Sequence, residues 1–224
     1  MPSTLVLVPA LNEEIGVGLT IAEFKTLDTD LHFLVVDGNS RDNTVHVAKS
    51  LGADVLYQKG KGKGDAIDYA LRNVGKEHLY VVMTDADYTY PAECVPKMLK
   101  ILETNPKIGM VCGNRFSSGL GAGAMQNTFH FGNKAIAFMH YLMNGVSMKD
   151  PLTGLRVMRW STLKNWKPQS DGFDIEVELN SYIKKLGYQI VEIEIPYRAR
   201  VGEKKLKFKH GIVIIKRILQ EALC

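Results

Sequence analysis

The stretch Leu79-Tyr80-Val81-Val82-Met83-Thr84-Asp85-Ala86-Asp87 decides the fold expected of this chain. Its first five residues form a short apolar run, which is typical of a strand covered on both faces. A turn follows at residues 88–91, so the two carboxylates stand where an open α/β sheet binds its ligands, at the carboxyl end of a strand. The stretch therefore predicts a ligand crevice beside Asp85 and Asp87.

Asp85 and Asp87 also place two negative charges close together, and each carboxylate raises the pKa of the other unless a cation lies nearby. A hard divalent cation such as Mg²⁺ or Mn²⁺ removes this repulsion and can hold a diphosphate. The pair therefore predicts a metal site. Taken alone, the same motif is also compatible with a polar turn at a strand end.

Apolar runs alternate with helical segments through residue 113. Strands are predicted at residues 5–8, 33–36, 54–57, 79–83 and 108–112, with helices after residue 13 and at 43–51, 65–74 and 95–102. Such alternation indicates an α/β fold whose mostly parallel sheet carries helices on both faces. Asp42 is the predicted N-cap of the second helix.

The second half is less regular. Helices are predicted at residues 131–144 and 175–186 and at the C-terminus, strands at 155–158 and 189–195, and a Gly/Ser-rich loop at 117–124. No internal repeat or low-complexity linker divides the chain. We therefore expect a single domain over residues 1–224.

Composition narrows the class of protein. The 224 residues carry a formal net charge of +4, too small to indicate a nucleic-acid partner. Cys94, Cys112 and Cys224 lack metal-binding spacing, which favours free thiols in a reducing compartment. No apolar run approaches the roughly 20 residues that cross a bilayer, and no signal peptide precedes the first strand. These observations predict a cytoplasmic protein.

Two further segments carry polar residues suited to ligand binding. Asp37 ends the second predicted strand and could accept hydrogen bonds from a base or ribose, although Ser40 or Asp42 in the same segment could simply cap a helix. The glycine- and lysine-rich segment 59–66 could approach phosphates closely, or form a solvated basic loop. It lacks a Walker pattern, and no G-x-G-x-x-G follows the first strand, which argues against dehydrogenases and nucleotidyltransferases.

Several motifs occur together in a specific order. They are Pro9-Ala10-Leu11-Asn12-Glu13, residues 36–44, Gly62-Lys63-Gly64-Asp65-Ala66, Asp85-Ala86-Asp87, Gly113-Asn114-Arg115-Phe116, residues 150–156, Gly172-Phe173-Asp174-Ile175-Glu176 and residues 200–205. In this order the chain resembles the family 2 glycosyltransferases over nearly its whole length. The later motifs resemble the polyprenyl-phosphate branch, which includes dolichyl-phosphate mannose synthases and glucosyltransferases.

The resemblance implies the GT-A fold, with a Rossmann-like sheet, and a nucleotide-sugar donor. By this resemblance the donor side consists of Pro9, Leu11, Glu13, Asp37, Lys63, Asp85 and Asp87. Asp87 would be the chief ligand of a Mg²⁺ or Mn²⁺ cofactor, with Asp85 beside it. Residues 1–113 would bind the donor, and residues 114–224 would bind the acceptor.

The resemblance also implies an acceptor phosphate held by Arg115 and Arg200, with Lys205 assisting, and a guanidinium fork suits this task. Asp150 would act as a base or orient the acceptor, or else cap the turn at Pro151. A phosphate monoester is mostly dianionic at pH 7 and hardly needs a base. The resemblance thus implies three catalytic residues, which are Asp87, Arg115 and Asp150.

The function implied is inverting transfer of a hexose from UDP-glucose or GDP-mannose to a polyprenyl phosphate such as dolichyl phosphate, a step in protein glycosylation. Thr89 stands where mannose synthases often have Gln, and Gly132-Asn133-Lys134 resembles glucosyltransferase-like relatives, so both sugars remain open. Two alternatives also remain. One is a family 2 enzyme acting on a soluble hydroxyl acceptor, and the other is a nucleotide-sugar-binding protein without turnover.

Two stretches are suited to a membrane surface. Residues 129–143 are too apolar on all sides for an ordinary surface helix, and an apolar segment at 212–219 follows a basic one at 204–209. Basic charge beside an amphipathic helix attracts anionic lipid. The same pattern is compatible with a packed core helix or with the interface of a homo-oligomer. The lipid acceptor favours peripheral attachment to the cytoplasmic membrane face.

Overall fold

The computed structural model describes residues 3–75, 78–116, 127–203, 205 and 209–223, and for residues 127–129 and 209 it describes the backbone alone. The strands in this part of the chain are β1 (Thr4–Ala10), β2 (Leu31–Asp37), β3 (Asp54–Tyr57), β4 (Tyr80–Met83), β5 (Ile108–Asn114), β6 (Arg156–Arg159) and β7 (Gln189–Glu194). The helices are α1 (Glu14–Phe24), α2 (Thr44–Ser50), α3 (Lys63–Asn73), α4 (Val95–Thr104), α5 (Asn127–Asn144), α6 (Trp160–Leu163), α7 (Ile175–Lys185) and α8 (Lys209–Leu223).

The seven strands form one sheet in the order β3-β2-β1-β4-β6-β5-β7. Neighbouring strands run parallel except for β6, which is antiparallel to both β4 and β5. The expected mostly parallel α/β sheet is therefore confirmed. Because β6 and β7 come from the second half of the chain, both halves contribute strands to the same sheet.

Apolar side chains fill both faces of the sheet. In β1, Val6 and Val8 face one buried cluster while Leu5 and Leu7 face the other, and all four are fully buried. Successive residues of a strand point to opposite faces, so a strand covered on both sides needs apolar residues at every position. This explains why β1 and β4 are continuous apolar runs.

The predicted elements match the observed ones closely, with three differences. The four-residue α6 and the 3-10 helix Ala92–Cys94 are too short to produce a periodic pattern in the sequence, so neither was predicted. Helix α2 takes Asn43 as its N-cap, not Asp42. Asp42 instead accepts the backbone N–H of Thr44 at 3.0 Å and that of Glu14 at 3.1 Å, joining the starts of α2 and α1.

Cys94 and Cys112 are free thiols, and Cys112 is buried in β5, where burial raises its pKa to about 12. Cys224 and the glycine-rich segment 117–124 lie outside the described residues. Within the described ranges, none of the helices combines the length and the apolar character that crossing a bilayer requires.

The parallel register brings the carboxyl ends of three strands together. Ala10 pairs with Asp37, and Leu7 pairs with Met83, so the chain beyond Met83 passes beside the end of β1. At Gly16, helix α1 packs against the turn formed by residues 85–87. A Cβ on Gly16 would lie 2.4 Å from the carbonyl oxygen of Ala86. The absence of a side chain at this position therefore allows α1 to support the Asp85–Asp87 turn directly.

We predict that Gly16→Ala lowers the free energy of unfolding by roughly 1–3 kcal/mol, because backbone atoms must move to admit the methyl group. Gly132→Ala is the matched control, since Gly132 lies in α5 with nothing within 4 Å of the added Cβ. This control should stabilise the protein by about 0.5–1 kcal/mol. Guanidinium denaturation measures both effects, and equal stability of the two variants would contradict the close packing at Gly16.

Candidate active site

A cleft of about 560 Å³ lies at the carboxyl ends of β1, β2 and β4. This volume falls within the range of small-molecule sites, which is about 300–1,000 Å³. Six of the seven residues predicted for the donor side line the cleft, and they are Pro9, Leu11, Glu13, Lys63, Asp85 and Asp87. Arg200 and Lys205, predicted for the acceptor phosphate, line it as well.

Asp85 is paired with Lys63, the first residue of α3. The Lys63 Nζ atom lies 2.6 Å from Asp85 Oδ1 and 2.8 Å from Oε1 of Glu176. Burial alone would lower the pKa of Lys63, but the two carboxylates outweigh burial and raise it above its usual value. Burial alone would raise the pKa of Asp85, but the Lys63 ammonium outweighs it and lowers that pKa. Both groups are therefore charged at neutral pH.

Asp87 is held from two sides. Its Oδ1 accepts the Thr89 hydroxyl at 2.6 Å, and its Oδ2 lies 3.0 Å from Nη1 of Arg200. Burial and the neighbouring charge of Asp85 raise the pKa of Asp87, although Thr89 and Arg200 act in the opposite direction. The side chain of Thr89, at the position where the resemblance expects Gln, thus orients the carboxylate of Asp87.

Glu13 connects the basic C-terminal segment to the cleft. Its buried carboxylate binds both Arg200 and Lys205. The backbone N–H of Val201 donates to the carbonyl oxygen of Asp87 at 3.1 Å, so this segment also follows the Asp85–Asp87 turn. Together these contacts place two cationic side chains beside two carboxylates at one edge of the cleft.

Asp37 does not line the cleft. It is 1% exposed, and its Oδ2 accepts the backbone N–H of Ser40 at 3.0 Å. The following residues, Gly38 and Asn39, line the cleft in its place, together with Gln58. The observed contact of Asp37 supports this turn, and its contact with a nucleoside stays a prediction.

Arg115 and Asp150 form a buried pair beside the cleft lining rather than within it. Arg115 Nε and Nη2 lie 2.6 Å and 2.7 Å from the two oxygens of Asp150, which is fully buried. Burial would lower the pKa of Arg115, but Asp150 outweighs it and raises that pKa. Both Asp150 oxygens therefore point to Arg115, and neither caps the turn at Pro151. The catalytic and acceptor roles of this pair stay predictions.

Sequence reasoning missed three residues of the site. Gln58 lies between the short strand β3 and the predicted basic segment 59–66, just outside its bounds, and Phe173 lines the cleft from the loop before α7. Glu176 binds Lys63 from α7. Phe173 and Glu176 lie in the motif at residues 172–176, so the resemblance marked their position but assigned them no role.

The cleft can accommodate a divalent cation. No group of three or more His, Cys, Asp and Glu residues suited to a metal occurs in the described part of the chain. Asp85 and Asp87 nevertheless supply the two hard oxygen ligands with which proteins often bind Mg²⁺, the remaining ligands coming from substrate phosphates and water. The donor set therefore fits a cation that arrives with a diphosphate.

Comparison with known proteins gives the family of the chain. The sequence profile described as Glycosyl transferase family 2 matches residues 5–165. The chain belongs to glycosyl transferase family 2. It is a hexosyltransferase, as the sequence predicted.

Two curated relatives of this family 2 enzyme match it along most of their length. A dolichyl-phosphate hexose transferase from Haloferax volcanii is 34% identical over 216 residues, which cover 95% of this chain and 90% of the relative. An undecaprenyl-phosphate mannosyltransferase from Micrococcus luteus is 29% identical over 218 residues, covering 90% and 86%. Both names describe hexose transfer to a lipid phosphate.

A solved structure shares the fold. Glucosyl-3-phosphoglycerate synthase from Mycobacterium tuberculosis, crystallised with Mn²⁺, UDP-glucose and glycerol 3-phosphate, superposes with a TM-score of 0.77 at 21% identity. The match covers 99% of this family 2 chain and 80% of the synthase. It confirms the expected GT-A fold.

We predict that Asp150→Asn lowers the free energy of unfolding by about 3–5 kcal/mol, because it leaves the buried charge of Arg115 without a counter-ion. The double variant Arg115→Met with Asp150→Leu should be less destabilised than Asp150→Asn alone, since no buried charge remains. Denaturation curves of all three proteins measure the difference. Wild-type stability in Asp150→Asn would show that the pair contributes nothing to the fold.

Proposed function

We propose that this family 2 enzyme transfers a hexose, with inversion, from a nucleoside-diphosphate hexose to a polyprenyl phosphate. The observation that carries the proposal is the cleft in which Asp85 and Asp87 stand beside Lys63, Arg200 and Lys205. Two carboxylates suit a metal-bound diphosphate, and three cations suit phosphate oxygens. The names of the relatives favour a lipid phosphate as the acceptor.

The donor proposed is UDP-glucose or GDP-mannose. Ligands of open α/β sheets bind outside the carboxyl ends of the strands, where this cleft lies. Asn39 lines the cleft and offers an amide that can hydrogen-bond a base, while Lys63 lies on the carboxylate side with Asp85. Gln58 also lines the cleft, but its Nε2 donates to the carbonyl oxygen of Gly62 at 3.0 Å and to Asp65 Oδ2 at 2.9 Å. In this arrangement residues 1–113 supply most of the donor site.

Asp85 and Asp87 would hold Mg²⁺ or Mn²⁺. The cation would neutralise the negative charge that develops on the leaving diphosphate. Thr89 keeps the Asp87 carboxylate in a fixed orientation through the 2.6 Å hydrogen bond of its hydroxyl. Because a ligand that is already oriented loses little freedom on binding, Thr89 supports this role.

The acceptor phosphate would be bound by Arg200 and Lys205, whose side chains are 26% and 28% exposed at the cleft. A phosphate dianion is itself a nucleophile, so the protein needs to position it for attack on the sugar rather than remove a proton from it. Arg115 would join the acceptor by exchanging one contact with Asp150 for a phosphate oxygen. Asp150 would then orient Arg115, and it would be needed as a base only with the alternative hydroxyl acceptor.

A membrane surface is the proposed partner of α5 and α8. The two helices pack together through Ile136, Ile214 and Ile218, which are buried. Large apolar side chains on the same helices are exposed, among them Phe138, Leu142 and Ile212 at 67%, 67% and 72%. A patch of this kind fits the boundary of a lipid bilayer, where the acceptor is anchored. The basic residues Lys204 and Lys207 lie outside the described residues.

A donor and acceptor panel tests the proposed reaction. The enzyme is incubated with Mn²⁺, UDP-glucose or GDP-mannose, and either a short polyprenyl phosphate or a soluble hydroxyl acceptor, and products are identified by mass spectrometry. We expect a polyprenyl-phosphate hexose whose anomeric configuration, read by NMR, is opposite to that of the donor. Transfer only to the hydroxyl acceptor would overturn the proposed acceptor, and binding without any product would overturn catalysis.

Asp87→Asn tests the metal ligand separately. Replacement of the carboxylate by an amide should weaken binding of Mn²⁺ with a nucleoside diphosphate and lower turnover at least about 100-fold, because electrostatic stabilisation of the leaving group is lost. The paramagnetic signal of bound Mn²⁺ measures binding without turnover. Asp68→Asn is the control and should bind normally, because Asp68 pairs with Arg72 on α3 and does not line the cleft. Unchanged Mn²⁺ binding in Asp87→Asn would remove Asp87 from the metal site.

Flotation with anionic vesicles tests the membrane surface. The wild-type protein should float, and Phe138→Ser with Leu142→Ser should remain in the bottom fraction because the exposed apolar area is lost. Leu79→Gln, at an exposed position before β4, is the control and should float like the wild type. A wild-type protein that stays at the bottom and forms dimers in light scattering would assign the patch to a second copy of the chain.

A further inference from the structure

Glu176 is a buried carboxylate to which the reaction above assigns no task. It lies in the first turn of α7, and its side chain is only 7% exposed. Its Oε1 binds Lys63 at 2.8 Å, although the two residues are 113 positions apart. Glu176 does not line the donor cleft, and Lys63 stands between it and Asp85, which does.

Lys63 thus pairs with two carboxylates that differ in their exposure to solvent. The Asp85 side chain is 32% exposed and faces the cleft, where a cation would compete with Lys63 for its oxygens. Glu176 is shielded behind Lys63 in the protein. A buried carboxylate is tolerated only with close compensation, which here comes from the Lys63 ammonium and from the amino-terminal end of α7.

Backbone contacts fix the distance between α3, which begins at Lys63, and α7, which carries Glu176. Gly64 donates its N–H to the carbonyl oxygen of Asp171 at 2.9 Å. A Cβ on Gly64 would lie 1.9 Å from the carbonyl oxygen of Ser170, so only glycine permits this approach. The start of α3 is therefore docked against the loop before α7, and the contact between Lys63 and Glu176 is not a loose surface pair.

We propose that Glu176 is a positioning residue that keeps Lys63 at the wall of the cleft when a divalent cation and the donor diphosphate engage Asp85. The inference rests on the proposed function, because it assumes a metal-bound diphosphate in the cleft. Asp85 cannot pair fully with Lys63 and with a divalent cation at the same time. Glu176 is the carboxylate that Lys63 retains, so the ammonium stays aimed at the diphosphate instead of moving away from the cation.

Calorimetric titration with UDP or GDP in the presence of MnCl₂ tests this role without turnover. Glu176→Gln should weaken binding about tenfold, the scale of one hydrogen bond to a charged group. Lys63→Met should weaken it at least as much. The double variant should bind no worse than Lys63→Met alone, because Glu176 acts through Lys63. In turnover, the donor KM should rise while the polyprenyl-phosphate KM stays constant.

Glu178→Gln is the matched control. Glu178 lies on the same helix, has a side chain that is 5% exposed, and accepts the backbone N–H groups of Gln169 and Ser170 at 2.8 Å. This variant should lose thermal stability but bind the nucleotide within about twofold of the wild type, since no contact with Lys63 is lost. Glu176→Asp keeps the charge in a shorter side chain, so it provides a folded variant if Glu176→Gln is unstable, and it should also bind more weakly.

The outcomes separate the inference from the proposed function. A wild-type protein that binds neither nucleotide with Mn²⁺ would overturn the proposed function and the inference together. Normal wild-type binding with unchanged affinity in Glu176→Gln and Glu176→Asp would overturn the inference alone and leave Glu176 as a purely structural contact. A double variant that binds about tenfold worse than Lys63→Met would show that Glu176 does not act through Lys63.

Discussion

The compensation of two neighbouring carboxylates by cations from distant parts of the chain is the interaction on which the site depends. Asp85 and Asp87 are separated by one residue at the end of a buried strand, where water cannot fully solvate either charge. Lys63 compensates the first and Arg200 the second. Without these partners the two charges would repel each other in a partly buried environment and destabilise the turn that carries them.

The need to compensate buried carboxylates connects residues 1–113 to residues 114–224. Arg200 and Lys205 reach Glu13 across separations of 187 and 192 residues, and Glu176 reaches Lys63 across 113. The segment that carries the proposed acceptor cations is therefore anchored to the walls of the donor cleft. A donor with its cation and an acceptor phosphate would act on the same set of paired charges, which gives a physical reason for their binding side by side.

The sequence predicted the fold well because its signals are local. Continuous apolar runs such as β1 and β4 are unambiguous when a strand is covered on both faces, and the parallel order follows from regular alternation with helices. The antiparallel direction of β6 and the existence of α6 were not predictable in this way. A four-residue element carries no measurable period, and the direction of a strand depends on where the chain returns to the sheet.

The candidate site likewise has features that the sequence predicted and features that it did not. The sequence by itself determined that two carboxylates stand together after β4, because their proximity is covalent, and its motifs indicated which other residue types belong to a family 2 enzyme. Only the tertiary structure decided which carboxylate pairs with which cationic side chain. In the structure Asp150 pairs with Arg115, Asp37 lies outside the cleft lining, and Glu176 pairs with Lys63. Such pairings depend on how helices and loops pack over a sheet, and residues far apart in the chain carry no local signal of the partner they will meet.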